Sequence, residues 1–176
     1  MIATQLLAAD IAVLSLADAV RTPWLDGMFA LVTWFGSLVV LLPLALLAGW
    51  CGNADRRPVF IAVALLGAAA LAHLGKLVVM RPRPDVLPLV PLPQDWSFPS
   101  AHAMQVTAFA LGWLLRPGAK SGRVEIAFLG AVVLLVMTSR LYLQVHFLSD
   151  VIAGALLATL WVVCLRRLPL WRENVR

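Results

Sequence analysis

The chain has 176 residues, a single-domain length, with 62% hydrophobic residues, 13% charged residues and a formal net charge of +5. Soluble domains carry roughly 45–50% apolar and about 25% charged residues, so the composition excludes a water-soluble core and points to a membrane protein. The positive charge raises nucleic acid as a partner, but the basic residues punctuate apolar runs instead of gathering on one exposed face, which argues for no nucleic acid.

Residues 2–20 are apolar but interrupted by Asp10 and Asp18. A charge at the bilayer centre costs about 2.5–3.5 kcal/mol. The segment 1–22 therefore predicts an amphipathic helix lying in the interface more readily than a span, and Pro23 ends it. The start of the chain lacks a basic region and a small-residue cleavage site, so the apolar segments themselves are expected to direct insertion.

Crossing about 30 Å of hydrocarbon takes about 20 apolar residues. Five stretches qualify: 28–50, 59–80, 101–115, 124–143 and 147–165. The third is short and is expected to start among polar residues or to lie inside the bundle. The segment 81–99 contains Pro82, Pro84, Pro88, Pro91, Pro93 and Pro99, so it reads as a loop over the bundle. Cys51 and Cys164 have no metal-ligand spacing and read as packing residues. The expected fold is all-α: one integral membrane bundle over residues 1–176, with about five transmembrane helices, or six if residues 2–20 span.

With five spans, the stretches 51–58, 116–123 and 166–176 share one side. They hold Arg56, Arg57, Arg116, Lys120, Arg123, Arg166, Arg167, Arg172 and Arg176. The other side holds Arg21, Lys76, Arg81, Arg83 and Arg140. The positive-inside rule places the first group, and the C-terminus, in the cytoplasm. Lys76, Arg81, Arg83 and Arg140 then sit at the outer ends of apolar helices, where orientation does not explain them and function is the default reading.

Three outward clusters carry chemistry: Lys76 with Arg83-Pro84, Pro99-Ser100-Ala101-His102, and Ser139-Arg140 followed by His146 and Asp150. Each has a plain structural reading. Lys76 and Arg83 can snorkel, Ser100 can cap a helix, and His146 and Asp150, four apart, can share a hydrogen bond on one helix face. Together they suit phosphoryl transfer, whose transition state spreads charge over the equatorial oxygens. Arg binds phosphate through a bidentate fork and Lys as a point charge. A helix starting near Ser100 offers free N–H groups to an anion. A neutral histidine can attack phosphorus while Asp150 holds its other nitrogen, and a second histidine can protonate the leaving group. His102, His146, Asp150, Asp85 and Asp95 are the ligands a metal site would have to draw on. Three neighbouring cations disfavour a divalent ion there.

In this order the clusters resemble the signature of the type 2 phosphatidic acid phosphatase family, the membrane branch of the superfamily that includes vanadium haloperoxidases. The family pattern is Lys-x6-Arg-Pro, Pro-Ser-Gly-His and Ser-Arg-x5-His-x3-Asp, matched here from Lys76 to Asp150. The resemblance implies that His146 is a nucleophile forming a phosphohistidine, Asp150 its orienting partner and His102 the general acid. It likewise implies that Lys76, Arg83, Ser100, Ala101 and Arg140 form the phosphate cradle, with no metal and no cofactor. Ala101 replaces the family glycine. If the backbone there is helical, Ala is harmless, whereas a positive φ would strain it. His73 matches no motif position and reads as a packing or hydrogen-bonding residue. Arg81 and Asp95 are candidates for contacts to a second phosphate or a head group, and Trp96 for an interfacial anchor.

The implied activity is metal-independent hydrolysis of a lipid phosphate or diphosphate in the inner, or plasma, membrane, with the site facing the periplasm or exterior. The small single domain looks similar to family members acting on undecaprenyl diphosphate. Lipid A, phosphatidylglycerophosphate and phosphotransfer to another lipid would use the same residues. A transporter is the alternative of a different class, disfavoured because its charges would sit near the midplane in repeated halves.

Overall fold

The computed structural model describes residues 2–50, 57–85, 90 and 94–171. Cys51, Arg56, Pro88, Pro91, Pro93, Arg172 and Arg176 lie outside them. The architecture is all-α, with no strand among the described residues. Helices α1 (Ile2–Ala19) and α2 (Pro23–Val32) are followed by a 3-10 turn (Thr33–Gly36) and α3 (Leu38–Trp50). Then come α4 (Arg57–Val79), α5 (Ala101–Leu114), α6 (Arg123–Tyr142), α7 (Leu148–Arg167) and a 3-10 turn (Pro169–Trp171).

Segments Pro58–Val79, Arg123–Tyr142 and Leu148–Arg167 are each long and apolar enough to cross a membrane. The expected span over residues 28–50 is not one rod. It forms a pair, Pro23–Gly36 and Leu38–Leu47, bent by 50°. The break has a local cause: Ser37 leaves the helix at φ −89° and ψ 148°, and its Oγ and N both donate to the Trp34 carbonyl, at 2.8 and 3.0 Å. A side chain that satisfies a helical carbonyl lets the ladder stop and turn.

The short helix α5 is the central one. Ala103, Met104, Gln105, Val106, Thr107, Ala108, Phe109 and Ala110 are all buried, so α5 contacts protein all round and needs no full-length lipid-facing stripe. Against it lies a four-residue stripe on α4, Phe60, Ala64, Ala68 and Ala72, and a matching one on α7, Ala158 and Val162. Small residues let backbones approach. In a bilayer, where lipid tails are as apolar as leucine, close packing rather than water exclusion holds helices together. The large apolar residues on the outward faces agree with this, since Leu66, Leu74 and Val78 on α4 and Leu156 and Leu160 on α7 are exposed.

Both stripes end in charge. Continuing α4 by four residues from Ala72 gives Lys76, which is 4% exposed. Stepping back along α7 through Ala158 and Gly154 gives Asp150, which is fully buried. The periodicity that packs the bundle thus delivers two ionisable groups to the same end of it.

Some residues sit differently from the sequence expectation. Cys164 is exposed on α7 rather than packed. His73 is exposed on α4 and does not share the buried face of Lys76. On α1 the buried residues are Asp10, Leu14 and Ala17, while Leu6, Leu7, Ile11 and Leu16 point outward. Asp10, whose charge argues against a span in the sequence, is turned towards the protein.

Candidate active site

The turn between α6 and α7 carries the histidine. Helix α6 ends in a Schellman arrangement, with Val145 N donating to Arg140 O at 3.3 Å and Gln144 N to Leu141 O at 3.0 Å. Gln144 takes the left-handed conformation at φ 56°, which costs a non-glycine residue roughly 1–2 kcal/mol. Its side chain is tied down where it stands, Nε2 donating to the Leu14 carbonyl of α1 at 3.0 Å. His146 follows, 2% exposed, and Phe147 starts α7.

Asp150 serves that start twice. Its Oδ2 accepts from Phe147 N at 3.0 Å and lies 3.5 Å from His146 Nδ1. The second distance is a long contact rather than a formed hydrogen bond, and a shift of a few tenths of an ångström closes it. Apo catalytic contacts are often this loose. On the other side of the ring, Arg83 Nη1 lies 3.4 Å from Nε2 and donates to Val145 O at 2.7 Å. Burial, with Arg140 and Arg83 adding to it and Asp150 opposing it, holds His146 down to about 4. The imidazole is neutral at neutral pH, with Nε2 facing the cations and Nδ1 facing the carboxylate.

The Pro99–His102 segment is wedged between α4 and α7 through two glycines. A Cβ on Gly75 would lie 2.7 Å from Pro99 Cδ, and one on Gly154 would lie 2.8 Å from the Ser100 carbonyl oxygen. Ser100 is in the N-cap position, but its hydroxyl makes no capping bond. It is fully buried, and its Oγ has no partner among the described residues. The first intrahelical bond is Met104 N to Ser100 O at 3.0 Å, which leaves the N–H groups at the start of α5 available to an anion. Ala101 is the first helical residue and is not among the positive-φ positions, so its methyl brings no backbone strain. His102 is on the same turn, within electrostatic reach of His146, Arg140, Arg83 and Lys76.

Gly154→Ala is expected to lower turnover by roughly 10- to 100-fold and to lower the melting temperature as well, because the methyl must displace backbone in a packed contact. The new methyl meets a backbone oxygen, and misplacing Ser100 by even part of an ångström matters. Phosphate release compared with thermal unfolding in detergent checks this.

Arg140 is 4% exposed. One guanidinium nitrogen donates to Thr33 Oγ1, and its Nε has no partner among the described residues. The break after α2 has a use here, because it sets the Thr33 hydroxyl beside Arg140. Ser139 plays no part in the cradle, since its Oγ donates back to Val136 O at 2.6 Å within α6.

The structure therefore gathers Lys76, Arg83, Ser100, Ala101, His102, Arg140, His146 and Asp150 at one end of the bundle, leaves Ser139 aside, and gives the two loop residues other partners. Asp95 is not placed to receive a second phosphate. Its carboxylate sits on the cradle's own cations, 2.5 Å from Arg83 Nη2 and 3.1 Å from Lys76 Nζ. Burial pushes Asp95 up, but hydrogen bonds from Arg83 and Lys76 outweigh it and hold the carboxyl below the usual carboxylate range. Lys76 also donates to the Trp96 carbonyl, while the Trp96 ring is exposed. Arg81 is committed elsewhere: it donates to Asp150, Ser149 and Asp10 and lies over the Phe147 ring.

An anion bridging two cations competes with any phosphate, and affinity falls by the fraction of time the site is occupied. Asp95→Ala is expected to strengthen competitive inhibition by inorganic phosphate about 3- to 10-fold. An unchanged inhibition constant would show that the carboxylate leaves at no cost.

Sequence reasoning passed over Asp10, Thr33 and Ser149. The one available signal was Asp10, a carboxylate in an apolar segment, which intramembrane logic marks as functional.

Comparison with known proteins agrees with this geometry. The model of the PAP2 superfamily matches residues 57–173. The chain is 33% identical over 156 residues to phosphatidylglycerophosphatase B of Bacillus subtilis (83% of this chain, 76% of the relative). It is 29% identical over 144 residues to an undecaprenyl-diphosphatase of Sulfolobus acidocaldarius (78% and 67%). The crystal structure of a transmembrane PAP2 type phosphatidylglycerolphosphate phosphatase from Bacillus subtilis superposes with a TM-score of 0.85 at 27% identity, covering 99% of this chain and 90% of that one. From the converging motif residues, the helical membrane fold and these likenesses, the chain belongs to the PAP2 superfamily and is a membrane-bound lipid phosphatase of that family.

Proposed function

We propose that the protein hydrolyses a lipid phosphate or diphosphate through a phosphohistidine on His146. The observation that carries this reading is the placement of one buried, neutral imidazole between a carboxylate at Nδ1 and a cation at Nε2.

The lone pair of Nε2 attacks phosphorus, and the bond to the leaving oxygen breaks. His102, which takes up a proton when the phosphate anion offsets the neighbouring cations, gives that proton to the leaving oxygen. The phosphorylated ring keeps its Nδ1 proton, carries a positive charge and is stabilised by Asp150. Water then attacks phosphorus while His102, now neutral, takes up its proton. The nitrogen–phosphorus bond breaks, and phosphate and neutral His146 are regenerated. Lys76, Arg83, Arg140, the Ser100 hydroxyl and the N–H groups at the start of α5, among them that of Ala101, hold the equatorial oxygens. No step draws on a metal.

Phosphatidylglycerophosphate and undecaprenyl diphosphate are the first substrates in this proposal. The first gains support from the relative with the greater identity and coverage, the second from the archaeal relative and from the chain's small single domain. The distribution of basic residues supports a site on the outer face of the plasma membrane and a cytoplasmic C-terminus. Phosphate release by the detergent-solubilised protein, measured with EDTA present over a panel of both lipids, phosphatidate and lipid A, tests the proposal. Release in EDTA supports it and the preferred lipid assigns the substrate, whereas loss of all release in EDTA overturns it.

A further inference from the structure

Asp10 lies outside the matched family region, on α1, yet it is 2% exposed and surrounded by donors. Its Oδ1 accepts from Ser149 N at 2.8 Å, and its Oδ2 from Ser149 Oγ at 2.7 Å and from Arg81 Nη2 at 2.8 Å. The other arm of Arg81, Nη1, donates to Asp150 Oδ1 at 2.7 Å and to Ser149 Oγ at 2.6 Å. One guanidinium fork is thus shared between two carboxylates, one of which faces His146.

The charge balance gives this a consequence. Asp150 has to stabilise the positive ring that forms when His146 attacks. Arg81 bound to Asp150 alone would cancel the carboxylate's charge and weaken that stabilisation. A second carboxylate behind Arg81 restores one net negative charge to the cluster. We propose that Asp10 is a positioning residue for the reaction: it neutralises Arg81 and fixes Ser149, so that Asp150 retains both its place and its charge towards His146. The inference rests on the phosphohistidine reading. A second tie supports it, because the Gln144 side chain binds the Leu14 carbonyl one turn further along α1. Helix α1 therefore holds the His146 turn from both sides.

The groups that face His146 are Arg83 from the segment after α4, His102 from α5, Arg140 from α6 and Asp150 from α7, with Arg81 behind Asp150 and Lys76 and Asp95 on the cradle. Losing the charge of Asp10 leaves this set more positive by one unit. The imidazolium form is then disfavoured, and the acid limb of kcat/KM moves to lower pH.

The experiment compares Asp10→Asn, Ser149→Ala, His146→Ala and wild-type protein in detergent, with phosphatidylglycerophosphate and undecaprenyl diphosphate as substrates. Rates are normalised to folded protein by size-exclusion chromatography. Asp10→Asn is expected to lower kcat about 3- to 100-fold, as for coupled members of one network, with KM unchanged and the acid limb displaced downward. A purely structural tie would reduce the folded fraction and leave the limb in place, so an unmoved limb or a wild-type kcat overturns the inference. If Asp10→Asn does not fold, Ser149→Ala removes the hydroxyl that joins Asp10 to Arg81, while the direct Arg81 and Ser149 N bonds to Asp10 and every charge remain. It is expected to lower kcat several-fold at constant KM with the acid limb in place, and a wild-type kcat or a displaced limb there overturns the inference. His146→Ala separates the two levels. Activity in that variant removes the phosphohistidine reading itself, whereas an inactive His146→Ala beside an unaffected Asp10→Asn removes only the role of Asp10.

Discussion

His146→Ala is expected to reduce phosphate release by at least about 10⁴-fold, the scale on which removal of a covalent nucleophile acts. The loss should be in kcat, because the cations and the α5 N-terminus that bind phosphate remain. Stability should change little in the pH range where the ring is neutral, since the substitution deletes a buried polar ring without orphaning a charge: Asp150 keeps Arg81 and Phe147 N as partners. The phosphorylated species offers a direct check. An acid-labile, base-stable phosphoprotein should form after brief mixing of wild-type protein with substrate and be missing from the variant. The same residue sets a pH dependence. An ordinary histidine loses its neutral form below about pH 6.5, but His146 is held down to about 4 by burial first and by its cation neighbours second. The nucleophile stays neutral as pH falls through 6, so the acid limb of kcat/KM that reports the free enzyme is expected near pH 4. A limb at pH 6.5 that persists when the substrate's own phosphate ionisation is divided out would mean that the ring is not desolvated as the structure has it.

Asp150→Asn is the second large effect, expected to lower kcat by about 10³- to 10⁴-fold, as loss of the carboxylate does in histidine-based triads. Three groups address this side chain: Phe147 N, Arg81 Nη1 and, across 3.5 Å, His146 Nδ1. All of them donate, or must donate for the mechanism to run. Asn supplies one acceptor and one donor. If its oxygen stays on Phe147 N and His146, its amide nitrogen meets Arg81 donor to donor. If the amide flips, the imidazole is held in the wrong tautomer. Neither arrangement stabilises the cationic ring. Part of the loss is structural, because Arg81 keeps Asp10 alone as counterion; Arg81 is a quarter exposed, so the cost stays below the roughly 3–5 kcal/mol of breaking a fully buried pair. Melting temperature and kcat should therefore both fall. A variant with wild-type turnover would place the orienting group elsewhere.

The membrane class, the loop over residues 81–99 and the set of cationic and histidine side chains were legible in the sequence because each depends on local quantities: apolar length, proline content and residue spacing. Ala101 belongs with them, since a residue directly after an N-cap is helical and a methyl there does no harm. Lys76 and Asp150 were legible as chemistry, and their burial follows from the four-residue stripes that run into them.

Other features were decided only when the helices packed. Asp10 meets Ser149 across 139 residues of chain and Arg81 across 71. Thr33 meets Arg140 across 107 residues, through a break that hydropathy reads as one span, because Ser37 interrupts the ladder without interrupting the apolar run. Asp95 and Arg81, which composition alone offered to a substrate, are held by partners from other helices. The reason is common to all of them. Hydrophobic periodicity states which face of a helix turns inward, but a buried polar or charged group takes its role from the partner that meets it, and that pairing exists only once the elements that carry both have packed.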